Sequence, residues 1–217
     1  MTPTPTPFLR SARRVRAGLL LAAALALAGC ASTPAPTLLT LPSVPAPSGL
    51  VPSPAADAPV LAVARLDLPE YIVSRRVRYR ADASTLAEWP NTFWAERIEV
   101  GMSRDFAAAL RERLPAWRIC ELNCHERGAV ATLRVVFSRV DYLRQERVLR
   151  ASARLVVLGT GARPSELQDQ ERRYEIPARG DGPQAQAEAY AGLLSQVARD
   201  AAASLGASAA GAAPGSR

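Results

Sequence analysis

The sequence contains no lysine: all 27 of its basic residues are arginine. That excludes a Schiff-base lysine, a Ser–Lys nucleophile pair and the lysine of a phosphate-binding loop. Histidine occurs once, at His125, so most imidazole-based triads and metal sites lack a second member. Cysteine occurs three times, and aromatic residues make up 6% of the chain. Ala17–Ala28 is an unbroken apolar and small run of 12 residues. A bilayer-spanning helix needs about 20. Gly159-Thr160-Gly161 reads as a turn rather than a phosphate cradle. These gaps argue against an enzyme: we identify no catalytic residue, no metal site and no cofactor in the sequence. What remains is a chain of 217 residues, 48% apolar, long enough for one cored domain with appendages.

The first thirty residues read as an address. Arg10, Arg13, Arg14 and Arg16 precede the Ala17–Ala28 run, the pattern of a secretory signal. Leu27-Ala28-Gly29-Cys30 looks like a bacterial lipobox. That resemblance implies a signal peptide over 1–29, cleavage before Cys30, diacylglycerol on its Sγ and a further acyl chain such as palmitate. Several chains, at ~0.8 kcal/mol per buried methylene, hold a protein stably on a membrane. Ala31 in the sorting position implies the outer membrane, with the chain anchored on its periplasmic face. The formal charge of +7 invites a nucleic-acid reading. Without residues 1–29 only 23 arginines face 20 acids, and that reading loses its support.

Residues 30–57 form a Pro-rich tether with seven prolines, extended at about 3.1 Å per residue. Thr37–Leu41 within it reads either as an edge strand or as slack linker. The domain follows over 58–206. Val60–Ala64 reads as a covered strand, and the alternating Arg76–Arg80 as a half-exposed one. Asp82–Asn91 is turn-like, which predicts a helix from Thr92 to Leu114, with Trp94, Ile98, Met102, Phe106 and Leu110 on one face. Ala131–Ser138 and Val148–Leu158 read as a strand pair joined around Asp141–Arg147, and Arg172–Ile176 as a further strand. Pro183 opens a last helix to about Leu205, and an Ala/Gly-rich tail over 207–217 reads as disordered.

Cys120 and Cys124 flank Glu-Leu-Asn, and His125 follows. In an exported chain this pair favours a small structural disulfide loop. The other readings are free thiols, a metal site that lacks a fourth ligand, and a redox pair with the wrong gap.

Three features together resemble the ABC-type transport auxiliary lipoproteins, the PqiC-like family. They are the lipobox followed by Thr37–Pro42, an apolar strand running into Leu68-Pro69-Glu70-Tyr71, and Trp94-Ala95-Glu96 ahead of Ala108–Leu114. The resemblance covers about residues 30–205. It implies a three-layer α/β domain with a mixed sheet, similar to the N-terminal domain of TolB. It implies a non-catalytic lipoprotein that works beside a mammalian-cell-entry (MCE) type periplasmic protein and an inner-membrane permease. Such a system moves lipids or other hydrophobic molecules across the envelope, and the lipoprotein docks its outer end, with a homo-oligomeric ring as one form. Leu68, Pro69, Glu70 and Tyr71 are then the expected partner-facing element; otherwise they form a strand-ending turn with Tyr71 in the core. A rival role is activation of a cell-wall synthase, for which a 27-residue tether reaching about 80 Å is the matching feature.

Overall fold

In the computed structural model, residues 34–42, 53–160 and 166–211 are described. The expected signal peptide over 1–29, Cys30 and residues 212–217 lie outside them. The unit from Pro36 onward contains eight strands and two helices among the described residues. They are β1 (Thr37–Leu39), β2 (Val60–Val63), β3 (Arg76–Arg80), β4 (Leu86–Trp94), α1 (Ile98–Arg113), β5 (Arg118–Cys120), β6 (Ala129–Leu143), β7 (Val148–Gly159), β8 (Glu166–Pro177) and α2 (Pro183–Gly211).

The 15-residue β6 organises one mixed sheet. Its first edge pairs along nearly its whole length with antiparallel β7, which pairs in turn with β8. Its second edge is shared. Parallel β2 takes the first part, with β5 beyond it. At the far end β3 pairs through Arg80 and Leu143, and β4 and β1 follow outward. Between these partners the connecting chain runs along β6. Ala64 N–H donates to Leu133 O (3.0 Å), Asp67 N–H to Val135 O (3.1 Å), and Phe137 N–H to Asp67 O (2.8 Å). A buried strand edge needs such partners, because an unpaired backbone group costs roughly 1–3 kcal/mol.

Burial follows the two periodicities. Leu133, Val135 and Phe137 point into the core while Arg134 and Ser138 stay outside. Ile98, Met102, Phe106 and Leu110 line α1, and Tyr190, Leu194, Val197 and Ala198 line α2. Both stripes join one core cluster, and the helices pack on each other. They therefore cover the same face of the sheet. The α/β class and mixed sheet are as the sequence implied. The other face carries exposed Arg134, Arg154, Val130 and Leu167. Gly192 lets α2 approach β8: a Cβ there would sit 3.1 Å from Ile176 Cγ2.

Several boundaries differ from the sequence reading. The helix begins at Ile98, not Thr92, and Leu86–Trp94 is a strand. One residue of β3 faces four of β4 between the Arg76–Phe93 and Arg78–Glu88 pairs. Pro90 and Asn91 occupy that bulge, with Asn91 at φ 48°, so a turn signal lies inside a strand. Trp94 is still buried, but at a strand end. β6 runs on to Leu143 because a bulge between Phe137 and Arg139 resets its alternation. β8 starts at Glu166, six residues early, and α2 continues to Gly211.

One buried polar side chain ties a helix to the small wing of the sheet. Gln186, fully buried on α2, accepts from Trp89 Nε1 (2.7 Å) and donates to Arg78 O (2.6 Å). Trp89→Phe strips Gln186 Oε1 of that donor. A cost of about 1–3 kcal/mol is expected, seen in urea denaturation as a lower midpoint with an unchanged m-value.

Candidate functional site

The Leu68–Tyr71 segment lies in the gap between β2 and β3, where it completes the edge of β6. Leu68 and Ile72 are buried in the core. Pro69 and Glu70 form a turn closed by Ile72 N–H to Pro69 O (3.0 Å) and Val73 N–H to Glu70 O (3.1 Å). The half-buried Tyr71 accepts a hydrogen bond at its hydroxyl from Val140 N–H (2.9 Å). Two of the four residues singled out in the sequence thus pack inward. Glu70 is the one that stands exposed at the turn.

Below Tyr71 lies a charged cluster. Asp141 is buried on β6. Arg80 donates to its Oδ1 through Nη2 (2.8 Å) and Nε (3.2 Å), and Arg139 Nε donates to Oδ2 (2.5 Å). The Arg80 guanidinium also lies 5.5 Å from the centre of the Tyr71 ring. Burial pushes the Asp141 carboxyl up, but the bonds from Arg80 and Arg139 outweigh it and hold it below its ordinary value. Burial pushes the Tyr71 phenol up, against the lowering effect of the Val140 N–H, and the nearby Asp141 carboxylate adds to the rise. A carboxylate so paired serves as a fixed counter-ion rather than a proton carrier.

A second arginine cluster borders the end of the β6–β7 hairpin. The Arg144 guanidinium sits 4.4 Å over the Trp89 ring and 5.3 Å from that of Tyr79. It donates to Asp181 Oδ1 (2.9 Å) and to the Tyr79 hydroxyl (3.3 Å). Tyr79, Ala81, Arg144, Gln145, Arg147 and Asp181 line a cleft of about 380 Å³. A further cleft of about 380 Å³ lies between Val73–Arg75 and the start of α1, floored by Trp94. Of its two acidic residues, Glu96 is clamped by Arg104 at 2.8 and 2.9 Å, and Glu99 is bonded to Arg97. The chemistry available in both clefts is hydrogen bonding, cation–π contact and apolar packing.

Cys120 and Cys124 are joined in a disulfide, with Cα atoms 5.6 Å apart. In the chain-entropy view so small a loop contributes about 2 kcal/mol. Its larger effect is to fix the turn between β5 and β6, where Asn123 takes a positive φ of 54° and Leu122 is 75% exposed. His125 lies exposed beside it. Among the described residues no three His, Cys, Asp or Glu side chains gather as metal ligands. No described helix is long and apolar enough to cross a membrane.

A single mixed sheet under a helix pair, with arginines tied to carboxylates along it, defines an α/β domain. The model of the family of ABC-type transport auxiliary lipoprotein components matches residues 39–202, and the chain belongs to that family. Two solved structures share the fold. One is titled a crystal structure of an uncharacterized protein: TM-score 0.63, 16% identity, covering 79% of this chain and 99% of that one. The other is protein XCC0632 from Xanthomonas campestris, of family DUF330: TM-score 0.56, 16% identity, covering 77% of this chain and 90% of that one. No curated protein matches the chain significantly.

The Asp141 cluster gives a pH signature. A carboxyl held below its unfolded pKa stabilises the fold above about pH 4. That stability is lost as pH falls through the lower folded value. Asp141→Asn leaves Arg80 without its anion and should cost about 3 kcal/mol near neutrality. Urea denaturation should show the gap to wild type narrowing as pH drops below about 4.

Proposed function

We propose that the mature chain is a non-catalytic outer-membrane lipoprotein, anchored through Cys30 on the periplasmic face. It serves the outer end of an ABC/MCE-type system that moves lipids or other hydrophobic molecules across the envelope. The observation that carries this reading is the family match over residues 39–202, which takes in nearly all of the described domain. The lipobox Leu27–Cys30 supports the anchor. The domain is also shaped for a scaffold: Tyr71, Arg80, Asp141 and Arg139 hold one another in place, and Glu70 projects from a turn that they brace. In this reading Leu68, Pro69, Glu70 and Tyr71 act together, with Glu70 touching an MCE-domain protein and its neighbours keeping it rigid. The permease lies at the inner end of the same assembly, and copies of the chain associate as a ring.

A photo-crosslinking residue at Glu70, activated in intact envelopes, tests the reading. The expected adduct is with an MCE-domain protein, and metabolic palmitate should label the wild type but not Cys30→Ser. Adducts only with a cell-wall synthase would transfer the chain to that rival role. Absence of any envelope adduct would remove the docking assignment.

A further inference from the structure

The anchor is shorter than its proline content suggests. Leu39 and Leu41 belong to the core, and Ala95 N–H donates to Leu39 O at 2.7 Å. β1 is therefore part of the domain. Six residues, 31–36, separate Cys30 from Thr37. A chain gains at most about 3.6 Å per residue, so β1 stays within roughly 25 Å of the Cys30 sulfur in every orientation. A domain of about 150 residues has a radius of gyration near 15 Å, so this leash is shorter than the domain is wide.

The surface held there has a definite chemistry. Leu38 pairs with Phe93, and Phe93 with Arg76, so three side chains form a row across β1, β4 and β3. Alternation sets this row on the face opposite buried Leu39 and Trp94. Leu38 is 55% exposed, and the Arg76 guanidinium lies 5.2 Å over the Phe93 ring. Arg76 also pairs with Glu88 at 3.3 Å, and at the same end of the wing stand exposed Arg75 and exposed Arg97, the latter bonded to Glu99. An aliphatic tip, an aromatic ring and guanidinium groups are the residue types that settle at a lipid–water boundary. Guanidinium also binds phosphate in a bidentate fork.

We propose that the outward face of the β1–β4–β3 wing rests on the phospholipid surface that holds the anchor. Leu38 and Phe93 enter the headgroup layer, and Arg75, Arg76 and Arg97 meet its phosphates. This rests on Cys30 being the lipidated residue. It goes further by assigning one side of the domain to the membrane.

The test uses the full lipidated chain in vesicles of phosphatidylethanolamine with a minority of phosphatidylglycerol. A nitroxide is attached at Leu38→Cys or, as control, at Leu167→Cys on β8. Cys120 and Cys124 are bonded to each other, so the new thiol alone reacts. Collision with a water-soluble nickel complex should be several-fold lower at position 38 than at 167, with oxygen collisions higher. Adding Arg75→Glu and Arg76→Glu should raise nickel access at 38 while the protein stays on the vesicle. Equal nickel access at both labels on an acylated chain overturns this proposal and leaves the anchor standing. Mass spectrometry showing no acyl group on Cys30 overturns both.

Discussion

The fold depends on how one strand divides its edge. β6 gives one side wholly to β7 but splits the other between β2 and β3, which cannot meet. The stretch left between them would be unpaired backbone inside the protein. Residues 64–75 supply the missing partners, first through backbone groups of Ala64 and Asp67 and then through the Tyr71 hydroxyl. The segment is an edge-filler with a side chain standing in for a strand. This explains why an irregular stretch carries three buried aliphatics, Leu66, Leu68 and Ile72. It also explains why Asp141 can be buried: the filler closes over it, and Arg80 and Arg139 supply its counter-charge.

Charge in this chain is organised in small closed sets rather than broad fields. Arg80 and Arg139 converge on Asp141, Arg104 grips Glu96, and Arg154 pairs with Asp169. Arginine suits this task because its planar fork engages two carboxylate oxygens at once and still stacks on rings, as Arg144 does on Trp89. With the arginines so paired, the excess of arginine over acid does not add up to a basic face of the kind that nucleic acids require.

Much of this was legible in the sequence wherever periodicity stayed intact. The four-residue stripe of α1, the face of α2, β2, β3 and the β6–β7 pair all follow from spacing. The misses share a cause: local irregularity hides a regular element. Pro90 and Asn91 bulge out of β4 and mimic a helix entrance. A second bulge resets β6 beyond Phe137. β5 is too short to show a period, and most of β8 is polar because it lies at the rim, where charge discourages unwanted pairing. The site was legible only in part. Leu68–Tyr71 stood out as a motif, but its bonding to Val140, and that of Arg80 to Asp141, joins residues 69 and 61 positions apart. No local pattern announces such contacts.

β1 has a mechanical side. If the chain is held by its N-terminal lipid, any force between membrane and domain enters the fold at Thr37. It loads three ladder positions on β4 along the strand axis, backed by Leu39 and Leu41 in the core. Parallel strands pulled in this direction share the load across their hydrogen bonds rather than opening one at a time. The point of attachment is thus a shear clasp, and it is the first part of the domain to feel any strain transmitted along the envelope.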